Sequence, residues 1–210
     1  MKLAQCSLTE FVQDLAGEAP APGGGSAAAY AGAMAAALAA MVARLTLGKK
    51  GAQEARTRLA AVIVAADSLA ARFLVLLDAD TAAYNQVAAA FKLPKADEAQ
   101  KAARSAALQA ALRHAAEVPL ETLEAVTRLV GLLETVVVDG NPKCITDAGS
   151  ALHLCRAGAF AAAYNVRINL MAIRDRAFVK ACARDTARCL QRVDDAVAQL
   201  EKAVAAKLVQ

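Results

Sequence analysis

The sequence predicts an all-α fold, an elongated bundle of about seven helices, and three observations carry that prediction. Hydrophobic residues make up 58% of the chain, and much of that share is alanine. Alanine is the best helix former and loses no rotamer freedom on folding. Only five prolines interrupt the 210 residues, and β-branched residues are scattered rather than clustered. The length suits one domain over residues 1–210. A core of alanine fills little volume per residue, so helix backbones must approach closely to avoid voids. Each buried alanine also contributes less transfer energy than leucine. Long-helix proteins of this kind often gain stability by oligomerising.

The elements follow in order. Ser7 and Glu10 have the spacing of a capping box. Leu8, Phe11, Val12 and Leu15 then line one face of a short first helix that ends near Gly17. Two prolines and three glycines keep the stretch from Glu18 to Ser26 out of a helix. A second helix is expected from about Gly25 to Leu47. Its Ala28, Gly32, Ala36 and Ala40 recur every four residues, a stripe on which another backbone can pack closely. Gly48-Lys49-Lys50-Gly51 has the character of a helix C-terminus, with cations at the negative end of the dipole. A third helix, from about Gln53 to Phe91, would be about 60 Å long and ends at Leu93-Pro94. A fourth is expected over Asp97 to Ala116, and Pro119 suits the first turn of a fifth that runs to about Asp139. Gly140-Asn141-Pro142 makes a loop. The sixth helix is expected over Thr146 to Ile173, with Thr146 as its N-cap, and the last from near Asp175 to Leu208. In the last, Val193, Val197, Leu200, Val204 and Leu208 form one packed stripe.

Composition excludes several classes. The formal charge is +4 and the pI about 8.9, with no dense Lys/Arg cluster. Aromatics are 4% and tryptophan is absent, which argues against a nucleic-acid partner. Ala27 to Ala43 carries no charge, but alanine is weakly apolar, so a core helix is the better reading than a membrane span. No signal peptide is visible. The five cysteines are odd in number and form no CxxC, which fits a reducing cytoplasm and small apolar positions inside helices. With two histidines, His114 and His153, and no HExxH, no metal site is expected. Both histidines read as core residues.

Four clusters can carry chemistry, and each has a structural alternative. Gly24, Gly25 and Ser26 open a helix, where free N–H groups can hold an anion. The same turn also serves as a plain inter-helix loop. Asp78 and Asp80 follow the apolar run Phe73 to Leu77, with Tyr84 and Asn85 one and two turns on. They suit either proton transfer or a solvated helix face. Asn165 and Asn169 lie one turn apart on a small apolar face. Their amides need partners, from a ligand such as a pterin or from another helix. Arg167 is by default a surface residue. Asn141 to Asp147 is the last cluster, and the charge of Asp147 also suits a helix start.

Taken together, seven segments in order resemble one family. They are Pro20-Ala-Pro-Gly-Gly-Gly-Ser-Ala-Ala-Ala29, Met41-Val-Ala-Arg-Leu-Thr-Leu-Gly-Lys-Lys50, Asp78-Ala-Asp-Thr-Ala-Ala-Tyr-Asn85, Leu93-Pro-Lys95, Ala116-Glu-Val-Pro-Leu120, Gly140-Asn-Pro-Lys-Cys-Ile-Thr-Asp147 and Ala163-Tyr-Asn-Val-Arg-Ile-Asn-Leu170. The chain resembles the cyclodeaminase domain of formiminotransferase-cyclodeaminase, whose family includes single-domain bacterial methenyltetrahydrofolate cyclohydrolases. Two positions depart from the family pattern: Ala21 stands where Thr or Ser is usual, and Thr146 where Ser is usual.

The resemblance implies a homodimeric helical bundle with folate in a cleft near the dimer interface. It implies a tetrahydrofolate derivative as substrate and no metal or redox cofactor. The reaction would be hydrolysis of 5,10-methenyltetrahydrofolate to 10-formyltetrahydrofolate. The alternatives are closure of 5-formiminotetrahydrofolate with loss of ammonia, or a helical interaction protein that has lost catalysis. On this resemblance the acid–base candidates are Asp147, Asp80 and Asp78. The candidate substrate-binding residues are Gly24, Gly25, Ser26, Lys49, Lys50, Tyr84, Asn85, Asn141, Asn165, Arg167 and Asn169. The asparagines would read pterin edges, and Lys49 and Lys50 would meet the glutamate tail.

Overall fold

The structure is a computed structural model, and it describes residues 2–48 and 52–209. These form six α-helices: α1 (Leu8–Ala16), α2 (Gly24–Leu47), α3 (Gln53–Phe91), α4 (Glu98–Asp139), α5 (Ile145–Leu170) and α6 (Arg176–Leu208). Two 3₁₀ turns, Leu3–Gln5 and Pro142–Cys144, precede α1 and α5. No strand occurs among the described residues. The capping box of α1 is present in both directions, since Ser7 Oγ accepts from Glu10 N–H and the Glu10 carboxylate accepts from Ser7 N–H. Asp97 and Asp175 cap α4 and α6 by accepting from Gln100 and Phe178 N–H.

Six helices replace the expected seven because the fourth and fifth are one. Pro119 lies inside the 42-residue α4 and is buried there. A proline in a helix interior removes one N–H and leaves the carbonyl four residues back without its partner. Here that carbonyl belongs to Ala115, and the Asn169 side chain on α5 donates to it at 2.6 Å. The bond lost within α4 is thus replaced across helices, and the chain continues. The start of α5 also differs from expectation. Thr146 is inside the helix rather than its cap, because the 3₁₀ turn at Pro142–Cys144 runs directly into Ile145.

The pairs α2–α3, α3–α4, α2–α5 and α5–α6 pack antiparallel. Ser26 meets Asp80, Gly32 meets Phe73, and Arg44 meets Asp67 along α2 and α3. Arg58 with Asp139, Arg72 with Glu121, and Arg104 with the Phe91 carbonyl mark the same relation for α3 and α4. Gly24 lies against Asn165, and Ala28 and Gly32 against Gly158, along α2 and α5. Arg156 pairs with Asp194, and His153 with Glu201, along α5 and α6. Lys207 closes the far end by donating to the last carbonyls of α4, at Val137 and Val138.

The small-residue stripe of α2 is the centre of the core. Ala28, Gly32, Ala36 and Ala40 are all buried. A Cβ on Gly32 would lie 2.6 Å from Phe73 Cε1, and the Phe73 ring is fully buried. Gly32→Ala should therefore destabilise the protein. Overpacking costs about 1–3 kcal/mol, against about 1 kcal/mol of improved helix propensity. Thermal unfolding should show a midpoint lowered by several degrees. An unchanged or raised midpoint would mean that α2 and α3 are not held as closely as described. By length and composition alone, α2 and α3 could each cross a membrane. In this fold α2 lies between α3 and α5, with twelve buried residues.

The histidines depart from expectation. His114 and His153 are not core residues: their side chains are 48% and 62% exposed, beside Glu117 and Glu201. Both lie on helix faces that point away from the packed stripes. The cysteines are free, and all but Cys6 are buried. Burial pushes the Cys155 thiol up to about 12.

Candidate functional site

The antiparallel crossings bring the first turn of α2, the second half of α3, the middle of α4 and the second half of α5 to one place. There they enclose a cleft of about 220 Å³, lined by Pro20, Ala21, Gly23, Gly24, Gly25, Asp80, Tyr84, Val87, Ala115, Asn165 and Asn169. Asp80 and Tyr84 are one turn apart on α3, and Asn165 and Asn169 one turn apart on α5, so each pair projects into the cleft together.

Asp80 is the only ionisable carboxylate in that lining, and no lysine or arginine accompanies it among the described residues. Its Oδ2 accepts from the buried Ser26 hydroxyl at 2.9 Å. Ser26 also lies 3.3 Å from the Leu77 carbonyl and 3.2 Å from Thr81 Oγ1. The start of α2 thus lies against an anion that the chain itself supplies. Gly25 permits this approach. A Cβ there would overlap Asp80 Oδ1 and lie 2.5 Å from its Cγ. Burial raises the Asp80 pKa above its ordinary 3.8, and hydrogen bonds from the Ser26 side chain and backbone pull it partly back. Ser26→Ala removes one of these bonds and should raise the Asp80 pKa further. Carboxyl-carbon NMR titration checks this, and a fall would mean that Ser26 does not stabilise the charged form.

The two amides are oriented by the protein. Asn165 Nδ2 donates to Ala161 O in its own helix at 2.9 Å, and Asn169 Nδ2 donates to Ala115 O at 2.6 Å. A carbonyl can only accept, so the nitrogen of each amide must face it. Neither Oδ1 has a protein partner among the described residues. The cleft therefore holds one carboxylate and two amides whose oxygens have no protein partner among the described residues, beside the Tyr84 ring. Such a wall complements a flat ligand that is rich in N–H donors or positively charged.

The remaining candidates lie elsewhere. Asp78 accepts from Ala4 N–H at 3.3 Å and so anchors the N-terminal 3₁₀ turn. Asn85 and Arg167 are exposed and do not line the cleft. Asn141 shapes its own turn, where its Oδ1 accepts from Lys143 N–H and its backbone N–H donates to Thr46 Oγ1. Asp147 is in the first turn of α5, eighteen residues before Asn165, or about 27 Å along the helix. That span separates it from the cleft. Lys49 and Lys50 lie outside the described residues. Val87 and Ala115 line the cleft without having been marked by the sequence, whereas Pro20 and Gly23 belong to the Pro20–Ala29 segment. No sequence signal pointed to Ala115, because Pro119 read as the first turn of a new helix rather than as part of α4. Among the described residues, no group of three or more His, Cys, Asp or Glu side chains is placed to hold a metal ion.

This chain and fold have known counterparts. The family model described as formiminotransferase-cyclodeaminase matches residues 7–188. A methenyltetrahydrofolate cyclohydrolase of Methylorubrum extorquens is 38% identical over 174 residues, covering 83% of this chain and 84% of that protein. The formimidoyltransferase-cyclodeaminase of Rattus norvegicus is 35% identical over 176 residues, which are 84% of this chain but 32% of the longer rat protein. The crystal structure of a formiminotetrahydrofolate cyclodeaminase from Thermotoga maritima superposes with a TM-score of 0.87 at 29% identity, over 97% of this chain and 98% of that one. A match over most of the sequence, with the same helical architecture, places the chain in the formiminotransferase-cyclodeaminase family.

Proposed function

We propose that this protein hydrolyses 5,10-methenyltetrahydrofolate to 10-formyltetrahydrofolate. The observation that carries the reading is Asp80, a half-buried carboxylate that shares its cleft with Asn165 and Asn169 and with no cationic side chain among the described residues. The methenyl substrate is a cation whose charge is shared between N5 and N10 across one carbon. A carboxylate in a partly dry cleft stabilises that charge more strongly than it would in water. It can also take the proton of an attacking water. The water oxygen bonds to the methenyl carbon, and Asp80 accepts the proton. The carbon–N5 bond then breaks as N5 is protonated, leaving the formyl group on N10 and one net proton released. Asn165 and Asn169 accept from N–H groups of the pterin edge, and the Tyr84 ring covers the heterocycle. Ligand pockets span roughly 300–1,000 Å³, so a cleft of about 220 Å³ suits the bicyclic head alone. The glutamate tail then runs outside it.

In this reading the single helical domain works in the cytoplasm as a homodimer, with folate as substrate and no resident cofactor. Exposed Tyr164, Ile168 and Met171 lie at helical spacing beside the cleft asparagines and support a subunit contact there. The relative from Methylorubrum extorquens, matched over most of both chains, supports hydrolysis. The Thermotoga maritima structure, matched over nearly the full length, favours a second reading, in which the same site closes 5-formiminotetrahydrofolate. There N10 attacks the formimino carbon, and Asp80 hands a proton to the departing ammonia.

Methenyl absorbance distinguishes the two. Decay on adding protein to 5,10-methenyltetrahydrofolate identifies hydrolysis, and growth from the formimino compound identifies deamination. Inertness toward both, with no folate binding, would leave a non-catalytic helical protein.

A further inference from the structure

Pro119 and Asn169 are fifty residues apart in sequence and meet at one atom. Pro119 has no N–H, so the Ala115 carbonyl has no amide four residues ahead of it in α4. Ala115 lines the cleft, and Asn169 Nδ2 donates to its carbonyl at 2.6 Å. With any other residue at position 119, the carbonyl would be engaged within the helix at ordinary α-helical geometry. The Asn169 amide would then have to share it or turn away, and nothing else among the described residues holds its nitrogen. The proline thus supplies an acceptor that determines which end of the amide faces the ligand.

We propose that Pro119 is a positioning residue for substrate binding: by freeing the Ala115 carbonyl, it fixes the Asn169 amide with its oxygen directed into the cleft. This rests on the reading that the cleft binds the folate head. The group Asn169 meets is then an N–H donor of the heterocycle, and it meets that donor equally in the ground and transition states. Losing the orientation should weaken binding and spare turnover.

A double-mutant cycle tests this, with wild type, Pro119→Ala, Asn169→Ala and the double variant. For 5,10-methenyltetrahydrofolate, Pro119→Ala should raise KM about tenfold, the weight of one well-placed hydrogen bond, with kcat within about threefold of wild type. Asn169→Ala should behave alike, and the double variant should be no worse than Asn169→Ala alone. A KM unchanged in Pro119→Ala, or additive effects in the double variant, would overturn the proposal.

Thermal midpoints give a readout that needs no activity. Asn169→Ala leaves a carbonyl unpartnered and should lower the midpoint by about 2–4 °C in the wild-type background. In the Pro119→Ala background it should change little, because the helix now satisfies Ala115. Equal losses in both backgrounds would overturn the proposal. If wild type acts on neither folate, the functional reading fails, while the thermal cycle still decides whether the two residues are coupled. Should Pro119→Ala not fold, Asn169→Asp serves instead. It keeps an acceptor but cannot donate to Ala115, so affinity must fall as in Asn169→Ala, and retained affinity would overturn the proposal.

Discussion

Asp80→Asn is expected to lower kcat for methenyl hydrolysis by at least about a hundredfold, the usual share of a positioned acid–base group. The fold should survive. An asparagine oxygen can still accept from Ser26, which is 2.9 Å from the present carboxylate. Stability should equal or exceed that of wild type near neutral pH. Burial raises the pKa of Asp80 above 3.8, so the folded state resists its ionisation more than the unfolded chain does. Below that value both states hold the proton and nothing is lost. As pH rises from 3.8 through the elevated folded pKa, the penalty develops, and above that window it is complete. Asparagine never ionises, so any gain in stability should vanish in acid. Steady-state kinetics with chemical denaturation at two pH values checks both parts. A variant with near-normal turnover would remove Asp80 from the chemistry.

Gly25→Ala should abolish activity to a similar degree, although it removes no functional group. Its Cβ would occupy space now held by the Asp80 carboxylate, lying 2.5 Å from Cγ. Asp80 must then swing away from Ser26, or α2 must move off α3. The glycine is required for this approach and not for its backbone angles, since no described glycine has a positive φ. Overpacking should cost about 1–3 kcal/mol of stability, a small part of what the protein holds. A comparison of kcat with the unfolding midpoint separates the two effects. Full activity in a folded Gly25→Ala protein would show that the carboxylate need not lie against the helix start. Activity lost only in proportion to the unfolded fraction would show the same.

Much of this architecture is local and therefore legible. The Ser7–Glu10 capping box is a pairing three residues apart, and the bounds of α3 are those that Gln53 and Phe91 suggest. The small stripe of α2 reads as a close-packing surface because its period is that of the helix. The division of α4 at Pro119 failed for a tertiary reason. The bond that rescues the helix comes from Asn169, and no local pattern announces it. Within the site, the pairs Asp80/Tyr84 and Asn165/Asn169 follow from one-turn spacing. Which carboxylate shares a cleft with the asparagines does not. Asp78 lies two residues from Asp80 and faces Ala4 instead, a rotation of about 200° around the helix. Asp147 is on the same helix as Asn165, yet several turns distant. Only the crossing of four helices sorts these three. The histidines illustrate the converse: apolar neighbours in sequence, such as Leu152 and Leu154, do not place His153 on the buried face.

A crystal structure with the stable ligand 5-formyltetrahydrofolate bound would be the most direct measurement. It should place the bicyclic ring between Tyr84 and the two asparagines. The Asp80 carboxylate should lie about 2.6–3.2 Å, or one water, from the groups at N5 and N10. A ring bound elsewhere, with Asp80 facing only protein, would contradict the account.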